Sequence, residues 1–291
     1  MEPNFSEPSL PADIRNYAVQ QISSIYDTRE SLSMVHWLME AILDLNRNKL
    51  LVNDPIMLDK KAWQVFKNAL IRLKKNEPIQ YILQEAYFFG RRFKVKPGVL
   101  VPRPETEELV HWISQNLVKD ATIIDIGTGS GCIPVTLKLE KPDWQVHAMD
   151  ISKIAIDVAK ENAEVLHSDI TFHQTDILKM PDLGLQFDII VSNPPYVRNS
   201  EKGQMHKNVV QYEPELALFV SDDDPLIFYQ TIAKWATRHL KKGGQLYFEI
   251  NEAFGIEVRL ILLDQGFQDV ELRRDLQYKD RMIKGVWTKH L

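Results

Sequence analysis

A five-residue segment, Ser192-Asn193-Pro194-Pro195-Tyr196, has the residue types to recognise a planar NH2 group. It directly follows the apolar run 187–191, which is typical of a buried strand. The two prolines fix φ and remove two backbone donors, so the turn after the strand is stiff. The Asn193 side-chain oxygen and the Pro194 carbonyl both accept hydrogen bonds. Two fixed acceptors beside an aromatic ring suit an amide or an exocyclic amine, whereas the alternative interpretation is a rigid turn with an asparagine helix cap.

A second candidate site is the glycine-rich segment Asp125-Ile126-Gly127-Thr128-Gly129-Ser130-Gly131. It follows a predicted strand and precedes a predicted helix. Glycines let a backbone approach a ligand closely, and a helix N-terminus adds free N–H groups. The glycine spacing is G-x-G-x-G. The dinucleotide fingerprint G-x-G-x-x-G would need glycine at position 132, where this chain has Cys132.

Three acidic residues complete this second site. Asp150 lies about twenty residues after the loop, where a carboxylate can accept both ribose hydroxyls. Asp176 follows the next predicted strand and could accept an adenine amino group, while Asp125 suits the cationic end of an amino acid better than a pyrophosphate. The sequence therefore predicts S-adenosyl-L-methionine (SAM) as cofactor, giving S-adenosyl-L-homocysteine, and the alternative is another nucleotide-binding fold. The predicted cofactor-binding residues are Asp125, Gly127, Thr128, Gly129, Gly131, Asp150, Asp176 and Asn193, and no metal site is predicted.

The elements that must position these residues alternate between strand and helix. Strands are predicted at Thr122–Ile126, Gln145–Met149, Ile170–His173, Phe187–Ser192 and Gln245–Ile250, with helices near 132–140, 152–163, 225–240 and 252–265. This alternation predicts an α/β fold with a mostly parallel sheet covered on both faces. Two further strands, 268–273 and 281–288, could close the sheet as an antiparallel pair. Residues 197–224 form the longest irregular stretch, and a loop of that length is usually functional or mobile.

The region before this pattern is predicted to form a small all-helical domain. Apolar residues recur at helical spacing from residue 12 to about residue 75, with no catalytic cluster among them. Residues 78–102 are rich in aromatic and β-branched residues interrupted by glycine and proline, which is typical of a hairpin. The predicted organisation is a helical domain at 1–77, a β-hairpin linker at 78–104 and an α/β domain at 105–291.

The overall composition limits the binding partners and the cellular compartment that we expect for this protein. The 291-residue chain has a net charge of −5, which argues against a protein whose main task is gripping duplex nucleic acid. Its single cysteine excludes an intrachain disulfide framework and favours a reducing compartment. No apolar run approaches the length of a membrane span, and residues 1–10 lack the features of a signal peptide. We therefore expect a cytoplasmic protein that binds neither membranes nor nucleic acid directly.

Three segments together resemble a known family, the bacterial peptide chain release factor N5-glutamine methyltransferases (PrmC/HemK). They are Pro102-Arg103-Pro104-Glu105-Thr106-Glu107, the glycine-rich segment and Asn193-Pro194-Pro195-Tyr196. Because adenine-N6 DNA methyltransferases share Asn-Pro-Pro-Tyr, the Pro-Arg-Pro-Glu-Thr-Glu segment is the specific part. The resemblance covers nearly the whole chain. Departures from the family pattern include Gln84 and Tyr278, where glycine is common, and Asn251.

The resemblance implies a class I SAM-dependent methyltransferase, Rossmann-like with a seven-stranded sheet, and a helical domain that helps dock the substrate protein. The implied reaction methylates the side-chain amide nitrogen (N5) of the glutamine in the Gly-Gly-Gln motif of class I release factors. Asn193, Pro194 and Tyr196 would be catalytic, and Asn193, Pro194, Pro195 and Tyr196 would bind the substrate. A monomer is expected. The alternatives are a nucleic-acid amine methyltransferase and a SAM-binding interaction protein without catalysis.

Overall fold

The computed structural model describes residues 7–288, which divide into two compact units. The first, called here the helical unit, comprises residues 7–84 and the segment His206–Tyr212. The second, called the sheet unit, comprises Glu85–Met205 and residues 213–288. None of the helices described between residues 7 and 288 is long and apolar enough to cross a membrane.

The regular elements are numbered in chain order. The helices are α1 (Pro11–Ile22), α2 (Thr28–Leu43), α3 (Arg47–Val52), α4 (Lys60–Leu73), α5 (Ile79–Leu83), α6 (Pro104–Ser114), α7 (Cys132–Glu140), α8 (Lys153–Val165), α9 (Lys207–Tyr212), α10 (Glu215–Leu218), α11 (Ile227–His239) and α12 (Gly255–Gln265). The strands are β1 (Glu85–Phe88), β2 (Arg91–Lys94), β3 (Thr122–Ile126), β4 (Gln145–Asp150), β5 (Ile170–Gln174), β6 (Phe187–Ser192), β7 (Val197–Arg198), β8 (Phe219–Val220), β9 (Leu240–Glu249), β10 (Gln268–Arg274) and β11 (Asp280–Val286).

The helical unit is held together by the apolar faces of α1, α2 and α4. Asp27 begins α2 by accepting from the N–H groups of the following turn, and Asp59 caps α4 by accepting from Ala62 N–H at 2.9 Å. Trp63 and Phe66 of α4 are buried at its core with ring centroids 5.4 Å apart. These helices could be predicted from the spacing of their apolar residues, because each helix buries one apolar face against the other two.

The predicted hairpin is shorter than its sequence pattern suggested. Strands β1 and β2 pair antiparallel over four residues each, but α5 occupies the preceding residues Ile79–Leu83. Ile79 packs in the core of the helical unit, Tyr81 is also buried, and Gln84 ends the helix in the left-handed conformation, with φ 58°. The β-branched and aromatic residues of this stretch are therefore buried on a helix, where tertiary packing outweighs strand propensity.

The sheet unit contains the predicted mostly parallel sheet, which confirms the α/β fold class. Its seven strands have the order β10-β11-β9-β6-β3-β4-β5. Strands β9, β6, β3, β4 and β5 are parallel to one another, whereas β11 pairs antiparallel with both β9 and β10. The closing antiparallel pair was also expected from the sequence.

Two apolar layers cover the opposite faces of the sheet. Ile124 of β3 packs with residues of α11 and α12 on one face, and Ile123 packs with residues of α6 and α7 on the other. Successive strand residues point to opposite faces, so a strand buried on both sides reads as a nearly continuous apolar run, interrupted here by Asp125 in β3 and Asp188 in β6. This explains why β3 and β6 could be predicted to the residue.

The stretch 197–224, expected to be irregular, contains short regular elements. Strands β7 and β8 pair parallel, and α10 lies just before β8. Ser200 helps to hold these short elements together, because its backbone N–H and its hydroxyl both donate to Asp222 Oδ1. Elements of two to six residues closed by such side-chain contacts leave no periodic pattern in the sequence.

Candidate active site

The register of the parallel strands brings the predicted motifs to one edge of the sheet. Ile126 at the end of β3 lies opposite Ser192 of β6 and opposite Met149 of β4. The Ser192 hydroxyl donates to the Ile126 carbonyl at 2.7 Å and fixes the ends of β3 and β6 together. The glycine-rich loop, Asp150 and Asn193 therefore begin side by side at the carboxyl ends of three adjacent strands, where ligands bind in open α/β sheets.

A cavity of about 380 Å³ opens at this edge, within the sheet unit. That volume lies within the range of about 300–1,000 Å³ usual for small-molecule sites. Among the residues predicted to form the site, those that line the cavity are Gly127, Thr128, Gly129, Asp150, Asp176, Asn193, Pro194 and Pro195. Asp125, Gly131 and Tyr196 are not among the lining residues, and their surroundings are described below.

The glycine-rich loop uses its own N–H groups to hold its shape. Gly127 N and Thr128 N both donate to the Met149 carbonyl, at 2.8 and 3.0 Å. Gly129 N donates to Asp150 Oδ2 at 2.9 Å, and Gly131 N donates to the Thr128 carbonyl. Because these four donors already have partners, they are not available to cradle a pyrophosphate. A side chain at Gly129 would meet nothing within 4 Å, so a ligand can lie close against the loop there.

Gly131 has a packing role in this structure. It has a φ of +79°, and a Cβ added to it would lie 2.9 Å from Ala159 Cβ of α8. Glycine therefore allows the start of α7 to approach α8 closely. This contact lies behind the loop rather than on its ligand side, which explains why Gly131 does not line the cavity.

Asp150 is held so that its carboxylate faces the cavity. Its two oxygens accept from Gly129 N–H and Ser152 N–H, at 2.9 and 2.8 Å. Burial raises the pKa of Asp150, and these backbone hydrogen bonds partly oppose that shift. A carboxylate has about four lone-pair sites, so Asp150 can still accept two further hydrogen bonds.

Asp176 occupies the corresponding place after β5. Its Oδ1 accepts from Leu178 N–H at 2.9 Å and begins a short 3-10 turn, Ile177–Lys179. Asp176, Ile177 and Leu178 all line the cavity. The turn thus presents one carboxylate and two apolar side chains to the same space.

Asp125 lies beneath the glycine-rich loop and is fully buried. Neither of its carboxylate oxygens makes a hydrogen bond of good geometry, although the Thr128 hydroxyl is near enough to favour the ionised form. Burial raises the pKa of Asp125 to about 7; the Thr128 hydroxyl opposes the rise and the charge of Asp150 adds to it. An unpaired carboxylate at this depth is expected to interact favourably with a cation bound on the loop above it.

Asn193 is oriented by a contact across the cavity wall. Its Nδ2 donates to Thr106 Oγ1 of α6 at 3.3 Å, and both residues line the cavity. Among residues 7–288 we find no donor to Asn193 Oδ1, which leaves this oxygen available as an acceptor. The Asn193 backbone carbonyl lies 3.9 Å from a Cβ built on Gly127, which shows how close the two motifs are.

Glu249, at the end of β9, is a buried residue that the sequence pattern did not single out. Its Oε2 accepts from Thr106 Oγ1 at 2.6 Å, and its Oε1 accepts from Tyr196 OH at 3.1 Å. Tyr196 packs against the apolar layer of α11 and does not line the cavity. The only signal for Glu249 in the sequence is a carboxylate at the end of a strand, a feature that it shares with Asp150 at the end of β4.

A further buried acid, Glu213, holds one wall of the cavity. Its Oε1 accepts from Arg103 Nη2 at 2.6 Å, and its Oε2 accepts from Val101 N–H at 3.2 Å. Both partners line the cavity, and so do Pro214, Leu216 and Ala217, which follow Glu213. The Pro-Arg-Pro segment and the long loop therefore meet at the cavity, a contact between residues 110 positions apart in sequence.

Much of the remaining wall is apolar and was not predicted. Its further lining residues include Gly98, Val99, Leu100, Ile133, Ile151, Ile154, Phe228 and Ile232. They come from the stretch after the hairpin, from the turn after β4, and from the helices that follow β3, β4 and β8. Apolar residues at these positions cannot be distinguished from core residues by sequence pattern alone.

The fold and the cavity define the class of protein as a class I SAM-dependent methyltransferase. Residues 104–215 match the Methyltransferase small domain family, and residues 13–83 match the PrmC N-terminal domain family. A solved methyltransferase from Pyrococcus furiosus has the same fold, with a TM-score of 0.53 at 18% identity over 77% of this chain and 100% of that one.

The particular family follows from two full-length relatives. The chain is 47% identical to a release factor glutamine methyltransferase of Flavobacterium psychrophilum, over 93% of this chain and 98% of the relative. It is 43% identical to one of Bacteroides thetaiotaomicron, over the same shares of both chains. The chain belongs to the release factor glutamine methyltransferase family.

Proposed function

We propose that this protein transfers a methyl group from SAM to the side-chain amide nitrogen (N5) of the glutamine in the Gly-Gly-Gln motif of class I peptide chain release factors. The observation that carries the proposal is the placement of Asn193. Its amide nitrogen is occupied by Thr106, and its oxygen is left as an acceptor at a cavity that also holds the glycine-rich loop. Family membership supports the choice of substrate.

The cavity residues fit SAM better than a dinucleotide. Four N–H groups of the glycine-rich loop are already bonded within the protein, so the loop offers little to a pyrophosphate. The unpartnered oxygens of Asp125 and the Thr128 hydroxyl suit the ammonium group of an amino acid moiety. We assign the ribose hydroxyls to Asp150 and the adenine amino group to Asp176. When bound, SAM supplies an electrophilic methyl group on a sulfonium.

The substrate amide needs help because its nitrogen lone pair is delocalised into the carbonyl. We propose that Asn193 Oδ1 and the Pro194 carbonyl accept the two hydrogens of the glutamine NH2. These acceptors draw the nitrogen out of conjugation, aim it, and stabilise the positive charge that develops on it during transfer. The residues thereby supply orientation and electrostatic stabilisation, and the proton leaves after the methyl group has moved.

Pro195 and Tyr196 support this arrangement from two sides. Pro195 lines the cavity beside Pro194 and stiffens the turn. Tyr196 packs behind the turn with its hydroxyl on Glu249, which favours support of the turn over direct contact with substrate. Together they keep the two acceptors, Asn193 Oδ1 and the Pro194 carbonyl, rigid, so that the acceptors need little reorganisation during methyl transfer.

We further propose that the helical domain, residues 1–77, docks the release factor. Three of its apolar residues, Leu51, Val52 and Met57, are 75%, 66% and 62% exposed. Replacing all three by serine should lower kcat/KM for a whole release factor and leave kcat/KM for a short Gly-Gly-Gln peptide unchanged, because remote binding energy is available only from the whole protein. A matched control replaces three exposed apolar residues of the sheet unit, Leu117, Val165 and Ile256. Equal losses on both substrates would contradict the docking role.

The proposed reaction can be tested by incubating the protein with methyl-labelled SAM and a class I release factor. Label should appear in the release factor and should be absent when the glutamine of its Gly-Gly-Gln motif is replaced by alanine. Transfer to the alanine variant, or to DNA in place of protein, would contradict the proposal. DNA labelling together with a gel shift would favour the nucleic-acid amine methyltransferase.

A further inference from the structure

We propose that Glu249 is a positioning residue that sets the orientation of the Asn193 amide and thereby makes the site an acceptor for a substrate NH2 group. The inference rests on the proposed function, since the orientation matters only if a substrate amide binds at Asn193. Glu249 itself is 1% exposed and is absent from the residues that line the cavity, so it acts through its neighbours.

The carboxylate of Glu249 makes two hydrogen bonds from different parts of the chain. Thr106, on the first turn of α6, donates its hydroxyl to Oε2 at 2.6 Å. Tyr196, after β6, donates its hydroxyl to Oε1 at 3.1 Å. Because an ionised carboxylate only accepts, both hydroxyl protons must point at Glu249. The short distance to Thr106 is that of a charge-assisted hydrogen bond.

The direction of this hydrogen bond determines which atom of the Asn193 amide faces the Thr106 hydroxyl. A threonine hydroxyl has a single proton, so once that proton is given to Glu249 the oxygen can only accept from Asn193. The donor facing it is Asn193 Nδ2, at 3.3 Å. The amide oxygen is then turned away from Thr106 and is available to substrate. With a freely rotating hydroxyl, both amide orientations would be acceptable, and one of them would present an NH2 group to the substrate NH2.

Three neighbours of Glu249 favour the ionised form that this direction of donation requires. Burial raises the pKa of Glu249, and the hydrogen bond from Thr106, the positive charge of Arg281 and the hydrogen bond from Tyr196 oppose the rise. Arg281 is held in place by Asp275, with Nε 3.0 Å from Oδ2, and its Nη1 donates to the Ile250 carbonyl at 3.4 Å. A glutamine at 249 would have one acceptor oxygen in place of two, so it could accept a hydrogen bond from only one of the two hydroxyls.

The test uses the full-length protein and four variants. Glu249→Gln should lower kcat by about 10- to 100-fold, the scale of one hydrogen bond to a charged group. SAM affinity by calorimetry should stay within about threefold of wild type, a shift of less than 1 kcal/mol. Thr106→Val should show a similar loss of kcat, while Thr106→Ser, which keeps the hydroxyl, should restore most of it. The double variant Glu249→Gln/Thr106→Val should be no worse than the poorer single variant, because both changes break the same chain of contacts.

Several results would overturn the inference. They are wild-type kcat in Glu249→Gln, additive losses in the double variant, or equal kcat in Thr106→Val and Thr106→Ser. The last comparison still decides the matter if Glu249→Gln does not fold. Glu252→Gln is the matched control, since Glu252 is a nearby exposed carboxylate paired with Lys279, and it should keep wild-type kcat. Failure of the proposed function gives a different result, because the wild-type protein itself would then leave the release factor glutamine unmethylated.

Discussion

The two ends of the cavity are built in different ways. At the cofactor end, the loop is held by backbone groups of neighbouring strands, such as Gly127 N on the Met149 carbonyl, and by Asp150, which directly ends β4. At the substrate end, three side-chain hydrogen bonds join Asn193, Thr106, Glu249 and Tyr196 across 87, 143 and 53 positions of sequence. The cofactor end is thus a local product of strand order, whereas the substrate end depends on distant elements. Substitutions at the substrate end should therefore mainly lower kcat, whereas substitutions at the cofactor end should mainly weaken SAM binding.

The largest effect is expected at the substrate end. Replacing Asn193 by alanine removes a preorganised acceptor and should lower kcat by about 10²- to 10³-fold. SAM affinity should change little, because the cofactor end is held by other contacts. Steady-state kinetics and calorimetry on the same preparation measure both quantities. Asn199→Ala, an exposed asparagine six residues on, is the control. Normal turnover in Asn193→Ala would remove this residue from the mechanism.

A large effect on stability is expected from Asp125. Its pKa is raised to about 7 by burial, so the folded protein retains the proton over a pH range in which the unfolded chain has lost it. The free energy of unfolding should therefore fall as pH rises from about 4 and level off above about pH 7, by roughly 2–4 kcal/mol. Urea unfolding across this range should show the fall in wild type relative to Asp125→Asn. Parallel pH profiles for the two proteins would contradict the assignment.

At the cofactor end, Asp150→Ala should weaken SAM and S-adenosyl-L-homocysteine together. A hydrogen bond to a charged acceptor contributes about 1.5–3 kcal/mol, so both dissociation constants should rise by about 10-fold or more. At saturating SAM, kcat should fall far less than in Asn193→Ala. Asp157→Ala is the matched control, since the Asp157 side chain on α8 is 45% exposed and pairs with Lys153 of the same helix. Unchanged binding of both ligands in calorimetry would show that Asp150 does not contact the cofactor.

The smallest effect on stability is expected from Gly129→Ala. Its side chain would enter open space, so only the left-handed backbone conformation, with φ +55°, opposes the change, at about 1 kcal/mol. The added methyl group would nevertheless stand where the ligand approaches and should reduce SAM affinity. Gly131→Ala adds a 2.9 Å contact with Ala159 and should destabilise the fold more. Thermal melts of the two variants that showed the opposite order would contradict the packing role of Gly131.

The same contrast explains how much of the molecule could be predicted from sequence. Strands β3 and β6 were predicted to the residue, because a strand buried on both faces is a nearly continuous apolar run, even with one aspartate in each. Asp150 and Asn193 could be singled out because they end such runs. Glu249 could not, since its partners Thr106 and Tyr196 are brought together only by the order β9-β6-β3 and the packing of α6. Helix α5 was missed for a similar reason, because burial against the helical unit overrides its strand-like composition.

The most direct test of the account is to locate the transferred methyl group by tandem mass spectrometry. A class I release factor is incubated with SAM and the wild-type protein, digested, and compared with a reaction containing Asn193→Ala. We expect one modified peptide, which contains the Gly-Gly-Gln motif and carries the added methyl group on the glutamine side-chain amide, and far less of this peptide in the Asn193→Ala reaction. A methyl group on any other residue, or equal modification in both reactions, would contradict it.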